Sequence, residues 1–223
     1  PIRNQIEGKN VRFWGNRIIN MRKSNLASVE GSHQAISTAC RINAEVNNVE
    51  IFNNTIIQNN ADATAESIRI TENATYTIAG YKFYNNVIRS VAGNEGLLKT
   101  DGTNGTIEVF KNTWYDTTGA VDIRWQGTVR TVANSDTNVS AMHDNEDANP
   151  HVEPIQYGLS QDSPQSCVEQ GESLYTSGST ILPDFNGEPF EIETCRGAVQ
   201  PITDYSPRKC RSGAGSDDSS ETI

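Results

Sequence analysis

A nine-residue unit recurs four times along the chain and limits what the chain is able to form. It reads VRFWGNRII at 11–19, VEIFNNTII at 49–57, YKFYNNVIR at 81–89 and IEVFKNTWY at 107–115. Every copy has an apolar or aromatic residue at its first and third positions and asparagine at its sixth: Asn16, Asn54, Asn86 and Asn112. Two positions further on stand Ile18, Ile56, Ile88 and Trp114. The asparagines are unevenly spaced: 54−16 = 38, 86−54 = 32 and 112−86 = 26. A constant strand-like unit joined by connections of changing length points to a quasi-one-dimensional stack of coils.

Alternation within the unit predicts a strand, with Val49 and Ile51 inward and Glu50 and Phe52 outward. Asparagine tolerates the left-handed backbone region, so it is expected at the bend where the strand turns a corner. Strands stacked roughly 4.8 Å apart bring such residues one above the next, which predicts a hydrogen-bonded ladder of Asn16, Asn54, Asn86 and Asn112. A sandwich of hairpins would instead show turn signals every ~8–12 residues. The expected class is therefore all-β, as a solenoid.

A second strand series lies between these units: ACRIN at 39–43, SIRIT at 67–71, LLKTD at 97–101 and DIRWQ at 122–126. Each offers one basic residue, Arg41, Arg69, Lys99 or Arg124, flanked by residues expected to point inward. The expectation is a basic column running up one face.

The remaining composition narrows the class. The chain has 223 residues, a formal net charge of −10, and 23 asparagines against 18 Lys and Arg together. So much asparagine, a poor helix former, favours turn-rich β structure. No apolar run approaches the roughly 20 residues of a membrane span, so no membrane insertion is expected. Overall acidity argues against a nucleic-acid partner. Pro1 is expected to be a processed start, with upstream coils missing or another subunit covering the first coil.

Residues 1–134 are expected to form the coils, with 129–133 as a last edge strand. Residues 135–211 read as an irregular segment packing on them, its first part (135–153) a polar loop, and 212–223 as an acidic linker or disordered end. Cys167 and Cys195 bracket a Gly-rich and Ser-rich stretch; a disulfide is expected there, with two buried thiols as the alternative, and it would imply an oxidising compartment. Cys40 reads as a core thiol, and Cys210 is open between pairing with either and staying free. Asn53, Asn73, Asn104 and Asn138 stand in N-x-S/T sequons, which matter only in a glycosylating secretory route.

The units resemble those of right-handed parallel β-helices of the pectate-lyase-like superfamily, whose repeats carry similar asparagine corners. LPDFNGEPF at 182–190, CRGAVQP at 195–201 and DSPQSCVEQG at 162–171 are similar to closing segments of secreted bacterial β-helices. The resemblance implies a right-handed parallel β-helix with an irregular, disulfide-containing C-terminal segment. Within it, ESIRI at 66–70, NEGLLKTDG at 94–102 and DIRWQG at 122–127 are similar to segments of the alginate lyase and chondroitinase B type of polysaccharide lyase. That alignment puts the family's calcium carboxylates on Asn94 and Gly96 and its catalytic lysine on Asp101, and matches only its arginine, with Arg124.

β-Elimination from a uronic acid needs a base at the C5 proton and a cation or metal on the carboxylate. Lys99 is the candidate base and Arg124 the candidate carboxylate clamp; Arg41, Arg69, Lys99 and Arg124 are candidate substrate-binding residues. The bland reading is a solvated strand face paired with Asp101 and Asp122. His33, His143 and His151 are scattered, and the run Asp144, Glu146, Asp147 suggests a loop calcium or merely solvated charge; no other cofactor is expected. The functional expectation is a secreted or cell-surface protein associated with acidic extracellular polysaccharide, without cleaving it. The alternatives are a structural or adhesive subunit that associates head to tail, and an active lyase.

Overall fold

A computed structural model describes residues 2–4, 8–19, 36–39, 46–57, 66–72, 78–90, 95–99 and 106–151. In chain order these hold strands β1 (Ile2–Asn4), β2 (Gly8–Trp14), β3 (Arg17–Ile19), β4 (Ile36–Ala39), β5 (Val46–Phe52), β6 (Thr55–Ile57), β7 (Glu66–Thr71) and β8 (Ile78–Tyr84). There follow β9 (Val87–Ser90), β10 (Glu95–Lys99), β11 (Ile107–Phe110), β12 (Thr113–Asp116), β13 (Asp122–Trp125), β14 (Thr128–Arg130), helix α1 (Val132–Asn138), β15 (Met142–His143) and β16 (Glu146–Asp147).

The strands form three sheets. The first runs β1-β4-β7-β10-β13-β14, the second β15-β11-β8-β5-β2 and the third β16-β12-β9-β6-β3. From β1 to β13 the chain visits first, second and third sheet in strict rotation, and every pairing along the way is parallel. One circuit through the three sheets makes one rung. The single antiparallel pairing among the described residues is β13 with β14, at the sheet edge.

The core follows from the alternation of the repeating unit. Val49, Ile51, Tyr81, Phe83 and Val109 of the second sheet face Ile56, Ile88 and Trp114 of the third and Ile68, Ile70, Leu97 and Ile123 of the first, in one buried cluster. Trp125 belongs to that cluster and points inward. Phe52 is corrected: it takes the outward parity that the alternation assigns, yet it is buried, stacked between Trp14 and Tyr84.

At the corner between second and third sheets the asparagines form the expected ladder. Asn16 Nδ2 donates to Asn54 Oδ1 at 3.0 Å, Asn54 to Asn86 at 2.9 Å and Asn86 to Asn112 at 3.0 Å. Each acceptor oxygen also takes the backbone N–H of the same donor residue. The ladder has a fourth step, to a fifth asparagine: Asn112 donates to Asn145 Oδ1 at 3.0 Å. The bend itself is made one residue earlier than expected. Gly15, Asn53, Asn85, Lys111 and Asp144 take the left-handed backbone, with φ between 50° and 65°. This frees the ladder residue to aim its amide along the stack while its predecessor turns the chain.

The stretch read as a loop from 135 to 153 is also corrected. It contains most of α1 and both β15 and β16, which extend the second and third sheets in parallel pairing with β11 and β12. Thr131 caps α1, its hydroxyl accepting the N–H of Asn134.

Replacing Asn86 by alanine removes the acceptor of the buried Asn54 backbone N–H and one partner each from Asn54 Nδ2 and the carbonyls of Ile51 and Tyr84, of which Tyr84 O keeps the N–H of Asn53. At about 1–3 kcal/mol for a buried polar group left unpaired, Asn86→Ala is expected to lose about 2–3 kcal/mol in urea unfolding. The same change at Asn16, on the ladder's end, is expected to cost about a third of that.

Candidate functional site

The outer faces of the three sheets differ, and the difference bears on where a ligand is able to sit. On the second sheet the outward residues Arg12, Glu50, Lys82 and Glu108 fall at one register position in successive rungs. Their charges alternate, and they pair at 2.7 Å (Arg12 with Glu50) and 3.6 Å (Lys82 with Glu108). Such exposed pairs contribute little stability each, but they neutralise this face. Beside them runs a column of rings, Trp14, Phe52, Tyr84, Phe110 and His143, stacked at centroid distances of 5.9, 5.1, 5.1 and 5.0 Å.

On the third sheet the outward residues Thr55, Ile57, Val87 and Thr113 are buried, so this face is not a ligand surface over most of its extent. The first sheet is different. Arg69 and Arg124 alternate with core residues Ile68, Ile70, Ile123 and Trp125, so their side chains leave by the outer face, where both are half-buried and Asp122 is exposed.

Of the four basic residues expected in one column, the structure aligns these two. Arg69 and Arg124 both stand level with Leu98, one strand to either side of it. Lys99 is one place on, level with Ile70 and Trp125. A one-residue step exchanges the two faces of a strand, so Lys99 does not continue the Arg69–Arg124 column. The position level with Arg69 on β4 is Ser37, and beyond it comes Arg3 on β1. Arg41 lies outside the described residues, four positions past Ser37.

Gly96 carries the lyase comparison further. It inserts one residue into β10 relative to β13, since Glu95 pairs with Asp122 while Leu97 pairs with Ile123. A Cβ there would lie 2.4 Å from Val121 Cγ1 and 3.2 Å from the Trp114 ring. No carboxylate side chain fits at the position where the resemblance places a calcium ligand. Asn94 and Asp101, the other positions it invokes, lie outside the described residues, as do Asn73, Asn104, His33 and all four cysteines, including the expected Cys167–Cys195 pair.

The other candidates separate. Asp144 sits at a corner with its carboxylate 3.1 Å from His143 Nδ1, while Glu146 and Asp147 lie on β16. Among the described residues no group of three or more His, Cys, Asp or Glu side chains is placed to hold a metal ion. His151 is exposed. Asn53 is fully buried and its side-chain oxygen accepts Asn85 Nδ2 at 3.3 Å, which leaves no room for a glycan; Asn138, at the end of α1, is exposed.

Sequence reasoning missed Asp136, which completes the ladder. Its two oxygens accept the backbone N–H of Asn145 at 2.6 Å and its Nδ2 at 2.8 Å, the pair of bonds that a further asparagine would accept. Burial pushes the Asp136 carboxyl above its ordinary 3.8, against the opposing pull of these bonds and of His143 nearby.

No family model matches the chain, and neither a curated protein nor a solved structure matches it. The three-sheet parallel arrangement and the residue patterns therefore carry the functional argument.

The Asp136 carboxyl holds its proton more tightly folded than unfolded. Folded stability from this group is thus greatest in acid and declines as pH rises from 3.8 through the raised value. Asp136→Asn removes one acceptor of the pair but no longer titrates. Its destabilisation is expected to be largest in acid and to shrink as pH rises, read from urea midpoints between about pH 3.5 and 7. A penalty constant across that range would contradict this origin.

Proposed function

We propose that the three sheets are the walls of one right-handed parallel β-helix, and that it binds an acidic extracellular polysaccharide along the outer face of the first sheet without cleaving it. The single observation that carries this is the alignment of Arg69 and Arg124 at one register position, two strands apart, on the outer face of the first sheet. Right-handed crossovers are nearly universal for parallel strands, and the strict rotation among three sheets is what a coil produces. Guanidinium groups suit carboxylates through two-pronged hydrogen bonds, and a regular polyanion suits cations repeated at the strand spacing. With a formal net charge of −10, such binding must be local to this face.

Binding without turnover is supported by the lyase-like segment itself. Asp101 stands where a lysine would be needed, Gly96 has no space for a metal-binding side chain, and Lys99 is out of line with the two arginines. Misplacement by about 1 Å can cost a hundredfold in rate, and one strand position is roughly 3.3 Å. A secreted or cell-surface location accompanies this reading. The alternative of a head-to-tail filament draws less support, because α1 contacts β13, β15 and β16 and lies across one end of the stack.

Calorimetric titration at low salt with alginate, polygalacturonate and chondroitin tests the proposal. At least one is expected to bind, and Arg69→Glu with Arg124→Glu is expected to weaken it by about tenfold or more, on the basis of about 1 kcal/mol for each exposed ion pair. No accumulation of unsaturated product is expected, with or without calcium. Binding that survives the double replacement, or turnover that Lys99→Ala abolishes, would refute it.

A further inference from the structure

One row of the first sheet crosses all of its strands. The registers of β1-β4-β7-β10-β13-β14 set Arg3, Ser37, Arg69, Leu98, Arg124 and Val129 at one level. Along this row a cation and an uncharged residue alternate without exception. Arg3 precedes every basic position that the strand units mark, and the register alone brings it into line with Arg69 and Arg124.

The level belongs to the outer face. Arg69 and Arg124 leave the sheet between core residues on either side, and Val129 at the end of the row is 44% exposed. Neighbouring strands lie about 4.8 Å apart, so the cations recur every ~9.6 Å. The asparagine ladder holds successive rungs in vertical alignment, which keeps the row straight. Arg69 and Arg124 also interact within the protein, and a guanidinium has donors enough to serve a carboxylate besides.

The period selects among acidic polymers. An extended polysaccharide advances by roughly one strand spacing for each sugar, so a cation on every second strand meets an acid on every second sugar. Resting on the reading that this face binds acidic polysaccharide, we infer that Arg3, Arg69 and Arg124 form one site for an alternating polymer, with one acidic group per disaccharide and its neutral sugars at Ser37, Leu98 and Val129. Each carboxylate takes N–H groups from one guanidinium. The apolar side of a neutral sugar, or the methyl of its acetamido group, suits the places held by Leu98 and Val129. A polymer of uronic acid alone fits less well. Its intervening carboxylates lie over uncharged places, where they give up water without a partner, or turn to solvent and make no contact. Asp122, exposed two places before Arg124 on the same face, repels a carboxylate that turns toward it.

Calorimetry at moderate salt and equal carboxylate concentration compares unsulfated chondroitin and hyaluronan, with one acid per disaccharide, against polygalacturonate and alginate, with one per sugar. The alternating polymers are expected to bind at least about fivefold more tightly, the worth of one exposed ion pair. Chondroitin oligosaccharides are expected to gain affinity up to the hexasaccharide, which carries one acid for each arginine of the row. Arg3→Ala, with its fold checked by circular dichroism, is expected to weaken chondroitin about fivefold. Leu98→Arg, which fills a gap between cations, is expected to strengthen polygalacturonate more than chondroitin. Polygalacturonate or alginate binding as tightly as the alternating polymers would overturn the inference and leave polysaccharide binding itself standing. So would an Arg3→Ala protein that binds chondroitin unchanged. Binding of none of the four polymers would overturn both.

Discussion

A buried primary amide has two donors and an oxygen with two lone pairs, and an interior site normally leaves part of that capacity unmet at a cost. In the column from Asn54 to Asn112 nothing is left unmet. Each oxygen takes two N–H groups from the rung before, and each nitrogen serves the rung after and a carbonyl of the preceding turn, with Asn54 and Asn86 also reaching a carbonyl of their own turn. Every asparagine is thus satisfied only if its neighbours are in place and in register. The same geometry opposes the cumulative twist that open sheets adopt, because stacked side-chain ladders hold strands in vertical alignment. The rest of the structure depends on this corner: it fixes which residues face the core, and it lets Gly15, Asn53, Asn85, Lys111 and Asp144 make the turn beside it.

How much of this was legible in the sequence depends on how well each stretch keeps its alternation. The four complete units set apolar residues at fixed offsets from asparagine, and the sheets and most of the ladder follow from them. Asn145 was not legible, because its unit begins with Ser140 and puts Asp147 where the others have Ile18, Ile56, Ile88 and Trp114, so only Met142 and the asparagine remain. The fourth position held a readable signal that alternation hid: Trp14, Phe52, Tyr84 and Phe110 are aromatic in every copy, and they stack outside the core instead of facing water. Asp136 gave no local signal, since its role comes from a helix folded back over the corner.

The candidate site was less legible than the fold. Leu97 and Leu98 are consecutive apolar residues, so the strand that carries Lys99 does not reveal which parity faces inward. Gly96 adds an extra residue to β10 against β13 but not against β7, and it is Leu98, not Lys99, that the register sets level with both Arg69 and Arg124. The site on the first sheet therefore shrinks from a basic column to an arginine pair across Leu98. The faces that exclude a ligand, the ion-paired one and the buried one, could be told apart only with the packing in hand.

If the stacked amides are the constraint on which the rungs depend, their protons must be withheld from solvent together. Nuclear magnetic resonance of the folded chain in deuterium oxide reads this through exchange of the side-chain carboxamide protons. The account predicts that those of Asn54, Asn86 and Asn112 exchange slowly and at closely similar rates, with Asn16 clearly faster. Exchange of Asn86 at the rate of an exposed side chain such as Asn138 would contradict it.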